Sequence, residues 1–155
     1  MKNKQKYDSR ETSINKTKPA IYNKVATKIS ETDQVIDYGC GKYFDEYNLP
    51  ENFSGYDPYN RPNEKVLERE YDIALCSNVL NVIMEKEVRK ELLEILKSLA
   101  NKTFITVYEG NKSGIGGPTK RNCYQLNRKK REYLPELKEV FENVVYKNGM
   151  FECWS

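Results

Sequence analysis

The stretch Val35-Ile36-Asp37-Tyr38-Gly39-Cys40-Gly41-Lys42 restricts the possible folds more than any other part of the chain. Two β-branched apolar residues lead into a carboxylate, and then into two glycines separated by one small residue. Such an order reads as a short buried strand that ends in a tight turn. Glycine tolerates the backbone a sharp turn needs, and without a Cβ it lets a ligand approach the chain closely. Peptide N–H groups left open at the turn would attract electron-rich ligand atoms, the more so where a helix starts. Asp37 stands where the strand ends and is expected to point into the same crevice. A lone Gly-x-Gly is weak evidence, because a plain strand-to-helix turn has the same composition.

The segment Phe53-Ser54-Gly55-Tyr56-Asp57-Pro58 adds to it. It reads as a second short strand ending in an acid, with Asp57 lying 16 residues after Gly41. In doubly wound sheets an acid at the tip of the second strand accepts the ribose hydroxyls of a nucleoside. Two acid-tipped strands on either side of a glycine turn describe a nucleoside site.

On these residues the chain resembles the class I S-adenosylmethionine-dependent methyltransferases. Asp37-Tyr38-Gly39-Cys40-Gly41 matches their acid-x-Gly-x-Gly motif, and Asp57 matches the acid that closes their second strand. Tyr71-Asp72-Ile73-Ala74-Leu75-Cys76-Ser77-Asn78-Val79-Leu80-Asn81-Val82-Ile83 matches their fourth region, a strand led by Asp and followed by a loop and helix. The likeness covers residues 33–109 well and the end of the chain loosely. It implies an α/β, Rossmann-like, mostly parallel sheet with helices on both faces and a C-terminal antiparallel hairpin. In the family's numbering the strand order would be 2-1-4-5-7-6, with strand 3 short or missing. It implies S-adenosyl-L-methionine as cofactor and S-adenosylhomocysteine as its spent form. The cofactor-binding residues would be Asp37, Tyr38, Gly39, Cys40, Gly41, Lys42, Asp57, Pro58, Ser77, Asn78 and Val79. Asp37 would lie near the methionine end or order the glycine turn, Asp57 would hold the ribose, and Ser77 and Asn78 would face the sulfonium.

The bounds agree. The 155 residues suffice for one domain with a real core and not for two. Apolar residues are 38% and charged residues 32%, the balance of a globular chain expected to be cytoplasmic. No apolar run approaches the roughly 20 residues that span a bilayer, and Met1 to Lys6 has no signal-peptide core. Cys40, Cys76, Cys123 and Cys153 show no CxxC spacing, so reduced thiols are expected, with no zinc site and no disulfide framework. The absence of histidine excludes a Ser-His-Asp triad, a Cys-His pair and every His-ligated metal. A net charge of +3 is too small to argue for nucleic acid by itself.

Residues 1–18 read as a flexible basic segment. A helix over residues 19–29 would bury Ile21, Val25 and Ile29, spaced i, i+4, i+8. After Gly41 only a short helix fits before Leu49-Pro50, and Tyr38, Tyr43 and Phe44 wall the crevice or join the core. Roughly a dozen polar residues separate Tyr59 from Tyr71, too few for the helix of about 11 residues and strand of about 5 that the family places there. The third strand should therefore be missing and the sheet trimmed beside the ribose-binding strand. Ser77-Asn78-Val79-Leu80 replaces the Asn/Asp-Pro-Pro-aromatic signature of DNA adenine methyltransferases. Asn78 and Asn81 offer polar groups to the site or cap a following helix over residues 85–99.

Residues 110–131 carry four glycines, seven basic residues and no acid. They read as a mobile lid in which Lys120, Arg121 and Tyr124 contact substrate, favouring DNA, RNA or another phosphate-bearing acceptor. A helix over residues 134–141 and a hairpin turned at Asn148-Gly149 would complete the fold. Methyl transfer runs on alignment and desolvation; Asn78, Tyr108 and Glu109 are the candidates for any catalytic group. One alternative is a non-catalytic cofactor- or nucleic-acid-binding module on a degenerate methyltransferase fold. A dinucleotide oxidoreductase is opposed by Phe44, which replaces the third glycine of G-x-G-x-x-G.

Overall fold

The computed structural model describes residues 4–12 and 16–155. Strands β1 (Val35–Tyr38), β2 (Phe53–Tyr56), β3 (Tyr71–Ser77) and β4 (Ala100–Thr106) run parallel in the order β2-β1-β3-β4. A small hairpin, β5 (Gly117–Pro118) and β6 (Tyr124–Gln125), stands apart from this sheet. The C-terminal hairpin, β7 (Asn143–Lys147) and β8 (Met150–Trp154), turns at Asn148-Gly149 and joins β4 through β8, antiparallel. The sheet thus reads β2-β1-β3-β4-β8-β7. That is the expected order with the family's third strand absent among the described residues. Between β2 and β3 there is one 3-10 turn, Glu64–Glu68, because the polar segment has no apolar run to pair with β2.

Side chains alternate across a strand, and here each parity buries against a different layer. Val35, Ile73, Leu75 and Phe104 face α1 (Ala20–Val25) with Ile21, Tyr22 and Val25. Ile36, Ala74, Cys76 and Ile105 face α2 (Lys86–Leu99) and α3 (Leu134–Val140). Covering on both faces explains the near-continuous apolar run of β3. α1 is shorter than the periodicity predicts: it stops at Val25, and Ile29 packs from the turn beyond it. Phe44–Tyr47 is a single 3-10 turn, so no helix dipole points at the glycine turn.

Arg89 was not legible as a core residue. It is 1% exposed on the inner face of α2. Its guanidinium donates to both carboxylate oxygens of Glu136 on α3, at 2.9 and 2.7 Å, and to the carbonyls of Ile83 and Met84. Burial alone would raise the Glu136 pKa, but Arg89 and Arg128 outweigh it and hold the carboxyl below its usual range. Removing one member of such a pair costs about 3–5 kcal/mol, so Glu136→Ala should lower the unfolding free energy from denaturant titration by an amount in that range. A carboxylate held below its ordinary value contributes stability that is present above that value, near pH 4.3, and lost as pH falls through the folded one. Wild type should therefore lose more stability than Glu136→Gln on acidification below about pH 4, measured by denaturant titration at stepped pH.

Candidate functional site

A cavity of about 760 Å³ lies over the carboxyl ends of β1, β2 and β3, the edge where open α/β sheets bind ligands. Its floor is the glycine turn. Gly39 and Gly41 take φ of 85° and 75°. A Cβ on Gly39 would meet Val79 Cγ2 at 2.5 Å, so the bare glycine lets the tips of β1 and β3 touch.

The amides of that turn are not open to a ligand. The N–H groups of Gly39 and Cys40 donate to the Tyr56 carbonyl at 2.7 and 3.1 Å. The Gly41 N–H donates to Asp57 Oδ2 at 3.0 Å. Asp57 Oδ1 accepts from the N–H groups of Tyr59 and Asn60 and from the Asn60 side chain. Asp57 therefore binds the tips of β1 and β2 together while lining the cavity. The expected row of free N–H donors is corrected: a buried N–H without a partner is costly, and β2 supplies the partners.

Asp37 does not line the cavity. It sits on the α1 side of β1, where the Tyr22 hydroxyl donates to its Oδ2 and Oδ1 is buried without a partner. Tyr38, one residue on, falls on the other parity and lines the cavity against Tyr56. Burial pushes the Asp37 carboxyl up, the Tyr22 hydrogen bond draws it back and the Asp57 charge raises it again, to about 7.

The other expected residues divide. Cys40, Pro58, Ser77, Asn78 and Val79 line the cavity, and Lys42 does not. Asn78 takes φ of 56° and its N–H donates to the Thr106 carbonyl. Asn81 caps nothing: its side chain joins Gln125 and accepts from the Tyr108 N–H. Tyr108 borders the cavity; Glu109 turns away, accepting from the Lys130 N–H at 2.9 Å.

Residues 110–131 are a hairpin rather than a loose lid. Lys120 and Tyr124 line the cavity. Arg121 pairs with Glu11, Arg128 with Glu136 and Lys112 with Glu109, and Arg131 stacks on Tyr146. Three of the seven basic side chains thus have carboxylate partners within the chain, and of the three expected substrate contacts Arg121 does not line the cavity.

Sequence reasoning missed the near wall. Residues 4–12, expected to be loose, lie against the hairpin and the turn after β3. Ser9, 5% exposed, donates its N–H to the Asn122 carbonyl and its hydroxyl to the Val82 carbonyl, and accepts from the Tyr124 N–H. Tyr7 stacks on Tyr124 at 5.3 Å, and the Lys6 N–H donates to Glu85. Gln5, Asp8, Ser9 and Arg10 line the cavity with Lys18 and Pro19. These partners lie up to 115 residues away, so no local pattern marks them. The basic residues of the N-terminal segment include Lys2, which lies outside the described residues.

No family model matches the sequence, and no curated protein does. The structure is similar to the magnesium protoporphyrin IX methyltransferase ChlM of Synechocystis PCC 6803 with bound SAM. The TM-score is 0.55 at 16% identity, over 94% of this chain and 79% of that one. Against the same enzyme with bound SAH the TM-score is 0.51 at 13% identity, over 94% and 83%. At such identity the likeness shows the fold: a Rossmann-like methyltransferase architecture with a mostly parallel sheet and a C-terminal antiparallel pair.

Asp37 makes a test. An acid whose folded pKa lies above its unfolded value near 4 adds stability below pH 4 that is lost as pH rises toward 7. Asp37→Asn should abolish that fall between pH 4 and 7 and be at least as stable as wild type at pH 8, read by thermal melts across the range.

Proposed function

We propose that the chain binds S-adenosyl-L-methionine in this cavity and transfers its methyl group to an acceptor. The observation that carries the reading is the cavity itself, seated on a glycine turn between two adjoining strand tips, one closed by an aspartate. Its 760 Å³ lies within the roughly 300–1,000 Å³ of small-molecule sites. The neighbours named above hold SAM or SAH on the same fold.

The residues present fit that ligand. Asp57 Oδ2 accepts one hydrogen bond from Gly41 and has a second lone pair for a ribose hydroxyl. Pro58, Tyr59 and Asn60 continue that wall and would flank the base. Gly39, Cys40 and Gly41 form a floor with little side chain above it. Ser77, Asn78 and Val79, at the tip of β3, would face the sulfonium end. When bound, the cofactor supplies an activated methyl carbon. The chain's own part is to fix direction and exclude water, which suffices for in-line displacement. Asp37 would act from behind, holding β1 to α1 through Tyr22.

Isothermal titration with S-adenosylhomocysteine tests the reading, and measurable one-to-one binding is expected. Asp57→Ala should weaken it at least about tenfold, as loss of a charge-assisted hydrogen bond of about 1.5–3 kcal/mol implies. Equal affinity in the variant would remove Asp57 from the ribose role; no binding by wild type would end the cofactor assignment.

A further inference from the structure

A second groove, of about 320 Å³, lies between the end of α1 and the C-terminal hairpin. Lys24, Lys28, Lys147 and Asn148 line it, and Glu152 is the one acid among the described residues that does so. Phe151 pairs with Ile105 near the end of β4, so the turn Asn148-Gly149 sits at the carboxyl edge of the sheet, beyond β4 from the cavity. The methyl-transfer reading makes no use of this groove.

Positive charge converges on that turn. The Lys24 ammonium donates to the Asn148 carbonyl at 2.9 Å. Lys130 reaches the same turn from the 3-10 segment Lys130–Tyr133. Gly149 takes φ of 73°, and a Cβ on it would lie 3.0 Å from the Lys130 ammonium and 3.2 Å from that of Lys24. Two ammonium groups thus stand within contact distance of one point, which the bare glycine leaves open. Like charges so close repel each other, and the fold does not compensate them. Glu152 is engaged by Lys102 at 2.7 Å and by Lys28 at 3.8 Å. Glu109 is taken by the Lys130 N–H and by Lys112. No carboxylate among the described residues forms a salt bridge with Lys24, Lys130 or Lys147.

An anion between the two ammonium groups would remove that repulsion. An ammonium has three donors and no acceptor, so Lys24 keeps two N–H groups after its bond to Asn148. The uncompensated charge around the turn exceeds what one carboxylate can balance. A phosphate monoester carries about 1.5 to 2 negative charges at neutral pH and three acceptor oxygens. Lysine binds phosphate as a point charge, without the planar fork that arginine needs. We propose that this groove is a phosphate site: a phosphate group, of a free nucleotide or of a nucleic-acid backbone, rests on the Asn148-Gly149 turn between Lys24 and Lys130. Lys28 and Lys147, on the same groove, extend the field toward a neighbouring phosphate. The site stands whether or not the cavity over β1 to β3 holds a cofactor.

The test is an NMR titration of the full, nitrogen-15-labelled chain at low ionic strength, where surface charges are least screened. Inorganic pyrophosphate is the probe and citrate, a carboxylate of similar total charge, the control. Pyrophosphate is expected to shift the amide signals of Asn148 and Gly149 and to leave those of Gly39 and Gly41 in place. The double variant Lys24→Gln, Lys130→Gln should bind it about tenfold more weakly or worse, as loss of two charge-assisted contacts implies. Lys90→Gln, an exposed change on α2, should leave binding unaltered. Should the double variant not fold, Lys147→Gln and the wild-type shift map decide in its place. No shift at residues 148 and 149, equal binding of citrate, or full affinity in the lysine variants would each overturn the site. A single-stranded oligouridylate is the second probe. Binding tighter than pyrophosphate, and weakened by the same substitutions, supports the site with a nucleic-acid backbone as the source; weaker binding supports it with free nucleotides as the source.

Discussion

The tips of β1 and β2 are joined by hydrogen bonds that the turn cannot do without. Three successive amides, those of residues 39–41, leave the sheet at its carboxyl edge and would be orphaned there. The Tyr56 carbonyl takes two and the Asp57 carboxylate the third. A buried N–H left unpaired costs about 1–3 kcal/mol, so this stitching holds the glycine turn in one shape. The cavity above it depends on that shape.

The same economy governs the rest of the site. Asp57 lines the cavity only because its own turn, through Tyr59 and Asn60, keeps the carboxylate in place. Asn81 and Gln125 tie the turn after β3 to the hairpin, and Ser9 ties the N-terminal strap to both. The contacts of Asn81 and Ser9 join segments distant in the chain. The site is thus a junction of five pieces, none of which forms it alone.

Charge follows a similar logic. The run from Lys112 to Arg131 looks like a polyanion reader on paper, but Glu11, Glu109 and Glu136 pair with three of its seven basic side chains. Arg89, on a helix face that otherwise reads as apolar, is buried for the same reason: Glu136 and two carbonyls meet it. A composition count cannot anticipate either pairing, because both depend on which surfaces the fold brings together.

Sequence by itself determined the strand-turn at residues 35–41, the acid at 57, the missing third strand and the C-terminal hairpin. These are local properties: apolar runs, glycine, polar spacing and an Asn-Gly turn act over a few residues. Tertiary structure decided where the side chains of those residues point and what meets them. Parity on β1 sent Asp37 toward Tyr22 and Tyr38 toward the cavity. The donors of the glycine turn went to β2, and the N-terminal segment became a wall because Ser9 finds partners more than 70 residues away. Contacts at that separation leave no periodic trace in a chain, so only the folded molecule reveals them.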